Sequence, residues 1–388
     1  MGGMKTKLLS MVAAVAAAAP AMAGLYGDTP DAKHAWAVHD MNRPNPPRVT
    51  YNAKGIPSDA VVLFDGTKES FEKNWSNGKG GPCGWKLGDE GDFYCAPGWK
   101  NDGAAVTRYA HGDCQLHIEW RHDADLTGAG QMRGNSGVFL MGNYEIQVMD
   151  STLTNPADNK DPNYADGQAG AVYAENPPLV NAGHFPGQWQ KYDIVFHQPV
   201  WEGKTLVHPG SVTVFLNGVL VQDHWEMEGL TTHCRRRPLA PHATKLPLSL
   251  QDHGCVVHYR NIWLRELPSR WANTTHSAMS AKEEDVMALR RQTADRLLAK
   301  IDLSKSDAAT VNALLEVISY SKEEKYFNAL KTAGDKYIAT LADVADSRKD
   351  EVNGVWRSIE VLYRNKVLGD GCALRAAVKK AREAKGWK

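Results

Sequence analysis

Between residues 61 and 267 apolar and polar positions alternate in short runs broken by Gly, Pro, Asn and Asp, the pattern of an all-β sandwich or barrel. In Cys114–Arg121, Cys114, Leu116, Ile118 and Trp120 fall on one face and Gln115, His117, Glu119 and Arg121 on the other, because successive strand side chains point to opposite sides. The first face suits a core and the second is polar. Over 144–150, Tyr144, Ile146 and Val148 alternate with Glu145, Gln147 and Met149, which predicts a half-buried strand. Val212, Val214 and Leu216 lead into Asn217-Gly218, a dipeptide suited to the positive φ angles of a two-residue hairpin turn. Leu246, Leu248 and Leu250 mark a further strand with Gln251 leaving the core, and Tyr259, Ile262 and Leu264 mark the next.

From about residue 281 the texture turns helical. Val286, Leu289, Leu297 and Leu298 are spaced for one helix face, and runs over 308–320, 323–342 and 351–363 bring the expectation to a bundle of four or five helices. Ser304, Ser306 and Asp307 offer oxygens to cap the second of them. This region is rich in Lys, Glu and Ala and poor in polar clusters, so packing, self-association or a protein partner suits it better than chemistry. At the other end, Lys5 and Lys7 precede an apolar run from Leu8 to Ala19, followed by Ala21-Met22-Ala23, the layout of a cleavable signal peptide. The run is too short and too rich in alanine for a membrane anchor. The expected layout is therefore a signal peptide at 1–23, an extended Pro-rich arm at 24–58, a β domain at 59–268 and a helical domain at 269–388. The mature protein is expected in the periplasm or secreted, with no membrane contact after cleavage.

Charge narrows the partners. Lys plus Arg equals Asp plus Glu at 45 each, so no long-range field favours nucleic acid or an anionic membrane, and a neutral small substrate is more natural. The 12 Trp and 13 Tyr supply rings that can stack on the apolar faces of sugars. Six cysteines in an oxidising compartment make disulfides plausible, with Cys83 and Cys95 the first expected pair, although sequence cannot choose among the connectivities. No CxxC pair, phosphate-cradling glycine loop, H-E-x-x-H helix or G-x-S-x-G elbow occurs, which removes nucleotide cofactors and the common hydrolase triads from the field.

Three sets of residues can carry chemistry. The first is the polar strand face with His117, Glu119 and Arg121, where the cation favours an ionised Glu119 able to take a proton or bind a metal or a hydroxyl. The second is Glu145, Gln147 and Asp150, whose spacing is similar to the E-x-D-x-x-E strand of laminarinase-type retaining glucanases, here with an amide in the middle and a shorter acid at the end. The third is Gln251, Asp252 and His253 before Gly254, with Arg260 and Asn261 following, where a tight turn can bring side chains to a cleft.

Seven blocks in order carry a wider resemblance: 62–66, 116–121, 134–140, 144–151, 189–194, 213–218 and 250–263, the last running from Leu250-Gln251-Asp252-His253-Gly254 to Arg260-Asn261-Ile262-Trp263. Together they resemble the 3-keto-disaccharide hydrolase family over about residues 59–267. The resemblance implies a mainly β fold, a two-sheet antiparallel β-jelly roll of the concanavalin A-like sandwich type, here followed by a C-terminal α-helical bundle. It also implies action on 3-keto-glycosides as a lyase, a hydratase or both: a base removes the proton on carbon 2, the enolate expels the aglycone from carbon 1, and water adds. By matching positions it points to Glu119, Glu145 and His253 as catalytic groups or as ligands of a divalent metal ion. His117, Arg121, Asn135, Gln147, Asp150, Tyr173, Gln251 and Arg260 become the groups that hold a small sugar or oligosaccharide. A non-catalytic, lectin-like carbohydrate-binding protein is the alternative on the same fold. Cys114, Cys255 and the insertion 230–242 with Arg235-Arg236-Arg237 depart from the family blocks.

Overall fold

The structure is a computed structural model that describes residues 27–98, 103–152, 163–269 and 276–387. The expected signal peptide lies outside the described residues. The chain divides into two compact units, one formed by residues 47–278 and the other by 1–46 together with 279–388.

The β unit runs β1 (Val61–Phe64), α1 (Lys68–Asn74), β2 (Trp75–Ser76), β3 (Lys86–Leu87), β4 (Phe93–Tyr94), β5 (Ala105–His111), β6 (Cys114–Arg121), β7 (Ser136–Leu140), β8 (Tyr144–Val148), β9 (Gln190–His197), β10 (Val200–Glu202), β11 (Thr205–His208), β12 (Ser211–Leu216), β13 (Val219–Glu226), β14 (Leu246–Leu250) and β15 (His258–Glu266). Two antiparallel sheets face each other. The larger has the order β13-β12-β9-β6-β15-β4-β3 with β1 also on β15, and the smaller has the order β2-β5-β14-β7-β8. The expected hairpin forms: Asn217 and Gly218 take φ of 54° and 81°, and Leu216 pairs with Val219. This is the expected jelly-roll sandwich.

One apolar core lies between the sheets. Leu116, Ile118 and Trp120 of β6 and Tyr192, Ile194 and Phe196 of β9 meet Val138 and Leu140 of β7, Ile146 and Val148 of β8, and Leu248 and Leu250 of β14. Each such side chain contributes roughly 1.5–3 kcal/mol on burial. Because side chains alternate, this core fixes what points outward. His117, Glu119 and Arg121 stand on the outer face of the larger sheet, and Gly137, Phe139, Glu145, Gln147 and Gln251 stand on the outer face of the smaller one.

Two expectations change here. The strand at 144–148 is not half-buried, since all five of its residues are buried. Residues 170–173 run along its free edge, with Gln147 N donating to Ala171 O at 3.0 Å and Tyr173 N to Glu145 O at 3.1 Å, while Thr231 Oγ1 accepts from Glu145 N at 2.9 Å. The expected Cys83–Cys95 disulfide is also absent, because Cys95 is buried in the core and its thiol donates to Cys255 O at 2.8 Å. Burial pushes that thiol up to about 12, which keeps it protonated and unreactive.

The helical unit contains α2 (His276–Leu298), α3 (Ala308–Tyr320), α4 (Glu324–Ala339), α5 (Lys349–Arg364) and α6 (Ala373–Ala384). They share a separate core built on Val311, Leu314, Ile318, Tyr326, Tyr337, Val355, Ile359 and Val378. Asp307 caps α3 by accepting from Thr310 N at 2.8 Å. Leu289, expected on the inner face, is 43% exposed, because the inward face of α2 passes instead through Val286 and Ala294. The expected arm, 24–58, does not run free as one piece. Its described residues up to 46 belong to the helical unit, where Asn42 Nδ2 donates to Glu316 Oε1 at 2.6 Å, Tyr320 OH donates to Asp40, and Trp36 lies edge-on to Tyr320.

Candidate active site

The smaller sheet presents a row of three outward positions. Gln147 on β8 pairs with Gly137 on β7, and Gly137 O accepts from Gln251 N at 3.0 Å just past the end of β14. The middle position carries no side chain, which leaves room there between Gln147 and Gln251. Glu145, one step along β8, fills part of it: a Cβ added at Gly137 would stand 2.2 Å from Glu145 Oε1. A side chain at 137 would push the Glu145 carboxyl aside, and that carboxyl is the centre of the candidate site.

Glu145 is 3% exposed, and among the described residues its carboxyl receives no hydrogen bond. Burial alone pushes it up to about 8, so its proton comes off near neutral pH. Around it, buried acceptors stand ready. Gln147 uses its amide N–H groups on Gln131 Oε1 at 3.3 Å and Asn135 Oδ1 at 3.2 Å, which leaves Gln147 Oε1 buried with no partner. Gln251 Oε1 is buried and unpartnered as well. Leaving a buried polar atom unpaired costs roughly 1–3 kcal/mol, so two beside a lone carboxyl mark a place for a polar ligand. Asn135 is itself tied to Gln131 by its Nδ2 at 3.1 Å and completes the wall.

The other wall is aromatic. Tyr173 OH lies 2.8 Å from Tyr164 OH and 3.0 Å from His233 Nδ1, and both tyrosines are electrostatically coupled to Glu145. His253, half-buried beyond the end of β14, lies within electrostatic range of His233, and burial lowers its imidazole below the usual value. The structure thus gathers Glu145, Gln147, Asn135, Tyr173, Gln251 and His253 of the expected residues on one face. Gln131, Tyr164, Thr231 and His233 escaped the sequence reading. Gly137 inside a strand pattern was the readable hint that something approaches closely there.

Glu119, His117, Arg121 and Arg260 lie across the sandwich on the outer face of the larger sheet, and their charges are spent on each other. Glu119 accepts from Arg260 Nε at 2.7 Å and Asn261 Nδ2 at 3.0 Å, with His117 Nε2 3.7 Å away. Burial opposes its charge, but the nearby His117 and hydrogen bonds from Asn261 and Arg260 hold the carboxylate down at about 2. Burial likewise works against a charged His117. Its hydrogen bond to Asp193, at 2.7 Å, and the nearby Glu119 carboxylate outweigh that and raise it to about 9, while Trp263 stacks on the ring. Arg121 and Arg260 both lie over the Trp189 ring, at 5.0 and 3.9 Å from its centre, and Arg121 pairs with Glu90 at 3.0 Å. This is an ion-pair cluster in which the Glu119 carboxylate is fully engaged, while Arg121 Nε and Asn261 Oδ1 are buried with no hydrogen-bond partner among the described residues. Asp150 reaches neither set, because it is locked by Arg133 Nε at 2.5 Å and by Thr152.

The metal expectation meets a separation. Among the described residues no three His, Cys, Asp or Glu side chains come together to hold a metal ion, and Glu119 and Glu145 stand on opposite outer faces. The expected ligands Glu119, Glu145 and His253 do not converge.

A jelly roll with a buried carboxyl that has no hydrogen-bond partner among its described residues, two unpaired amide oxygens and a tyrosine wall suits a carbohydrate-active protein, and comparison with known proteins supports that class. The profile of the 3-keto-alpha-glucoside-1,2-lyase-like domain matches residues 59–265, more than half of the chain, and the chain belongs to that family. It is similar to a "putative glycosyl hydrolase" of Parabacteroides distasonis at 38% identity, with a TM-score of 0.52, over 58% of this chain and 93% of that one. A second protein of that name and organism is 20% identical, with a TM-score of 0.39, over 54% and 94% of the two chains. No curated protein matches.

Proposed function

We propose that the β unit cleaves 3-keto-glycosides by elimination, with Glu145 as the base. The observation that carries this reading is the Glu145 carboxyl, buried, without a hydrogen-bond partner and pushed up to about 8. A base works best when its pKa lies near the operating pH, and a carboxylate relieved of partners is basic enough to take a proton acidified by a neighbouring ketone.

Ionised Glu145 takes the proton from carbon 2, and the C–H electron pair forms an enolate whose charge rests on the carbon 3 oxygen. The enolate collapses, the bond from carbon 1 to the glycosidic oxygen breaks, and the aglycone leaves as an alcohol after receiving a proton. Water then adds, hydroxyl to carbon 1 and hydrogen to carbon 2, giving the free 3-keto sugar. Tyr173, linked to His233, and His253 are the neighbouring hydrogen-bond donors for the developing oxyanion, and the proton that Glu145 has taken passes to the leaving oxygen. The free oxygens of Gln147 and Gln251 accept from sugar hydroxyls. The expected signal peptide would put this reaction outside the cytoplasm.

The test is to incubate the purified protein with a 3-keto-glucoside and follow it by NMR, with and without added divalent metal. Accumulation of the unsaturated intermediate identifies a lyase, and free 3-keto-glucose adds hydration. Saturable sugar binding with no product under any metal condition would replace this reading with a lectin-like one, which the same unpaired amide oxygens would serve.

A further inference from the structure

Tyr173 also walls a second space. A cavity of about 260 Å³ lies between residues 173–175 and the insertion, lined among others by Glu175, Glu228, Arg235, Arg236 and Arg237. The loop that brings the arginines there is held at both ends. At its base Leu230 N donates to Arg237 O at 2.9 Å and Gly229 bridges Pro238, so closely that a Cβ at Gly229 would stand 2.2 Å from Arg237 O. At its tip His233 bonds Tyr173 OH through Nδ1 and meets Cys234 Sγ through Nε2 at 3.0 Å, with Cys234 in the left-handed region at φ 56°. The arginines are thus carried on a braced loop rather than a loose one.

The charges of this cavity do not balance, although those of the whole chain do. Arg236 pairs with Glu228 at 3.3 Å, while among the described residues Arg235 and Arg237 form no ion pair. Glu175 accepts from Glu228 N at 3.1 Å and from Trp225 Nε1 at 3.4 Å, so its carboxylate is taken up by neutral donors rather than by the arginines. Two guanidinium groups are left over beside a hollow that shares Tyr173 with the Glu145 site.

We propose that this cavity is a subsite for an anionic group, a carboxylate, sulfate or phosphate ester, carried by the part of the glycoside that leaves. Guanidinium forks match planar carboxylates and tetrahedral oxyanions through paired N–H donors. Its placement on the leaving-group side rests on the elimination reading above, whereas the preference for an anion does not. The substrates would be acidic glycosides, in contrast to the neutral ones that the overall charge suggests.

Calorimetric titration of the full chain with glucose, glucuronate, inorganic sulfate and inorganic phosphate separates the sources of the anion, and the double variant Arg235→Ala, Arg237→Ala locates it. The expected result is at least one anion binding about tenfold or more tighter than glucose, that advantage lost in the double variant and retained in Glu145→Gln. Equal binding of glucose and every anion, or an anion preference that survives the double variant with its melting temperature unchanged, would overturn the proposal. Turnover of a neutral 3-keto-glucoside reports on the elimination reading separately: it can fail while the anion binds through the arginines, or succeed while no anion does.

Discussion

Glu119 and Glu145 make a controlled comparison inside one sandwich. Each sits at an outward position of a strand, and they are 7% and 3% exposed. Burial penalises the charge of both, yet one is held down at about 2 and the other pushed up to about 8. The difference is partners: Glu119 has Arg260, Asn261 and His117, and Glu145 has none among the described residues. Burial sets the size of the penalty, and the neighbours decide whether it is offset. A satisfied carboxylate is a structural anchor, and an unsatisfied one is the reagent of the proposed elimination.

The sharpest break of this comparison is Glu145→Gln against Glu119→Gln. The first should lower kcat/KM by about 10²–10⁴-fold in a 3-keto-glucoside assay, and the second should leave it within a few-fold. In stability the order reverses. Glu119→Gln should cost about 3 kcal/mol in urea unfolding, because Arg260 and His117 lose the charge they face. Gly137→Ala comes next: its Cβ displaces the Glu145 carboxyl without straining the backbone and should lower kcat/KM by about 10²-fold with Kd for sugar changed less.

The pH dependences are smaller and sharpen the same contrast. The acid limb of kcat/KM should titrate near the Glu145 value of about 8 and vanish in Glu145→Gln. Between the ordinary 4.5 and about 8 the folded state holds the Glu145 proton more tightly than the unfolded chain, so this group's stabilisation falls as pH rises across that window. Glu119 behaves oppositely: its stabilisation is present above 4.5 and lost as pH falls through about 2. His117 stabilises fully below 6.5 and loses this as pH rises through about 9. Urea midpoints at pH 6 and pH 9 should therefore converge in Glu145→Gln relative to the unmodified chain.

Much of this was legible from alternation alone. The inward residues of β6, β8, β12 and β14, the Asn217-Gly218 turn, the Asp307 cap and the outward direction of Gln251 follow from local stereochemistry that every strand or helix obeys. Parity could also say that Glu119 and Glu145 both point away from a core. It could not say that they point away from opposite sides of it, because that depends on which sheet each strand joins. Nor could it show that Glu145 would be covered by Thr231 and Tyr173 while Glu119 met Arg260 and Asn261, since those partners lie 28 to 142 residues away in the chain.

Sequence by itself determined the periodicity, the turns, the two kinds of unit and the family blocks, all of which are carried by residues near one another. Tertiary structure alone decided which carboxyl is neutralised and which is left bare, that Cys95 is a buried thiol donating to Cys255 O, and that three arginines of an insertion line a cavity beside Tyr173. The physical reason is that hydrophobic pattern is a property of a strand, whereas the pKa of a buried group is a property of the neighbours that long-range pairing brings to it.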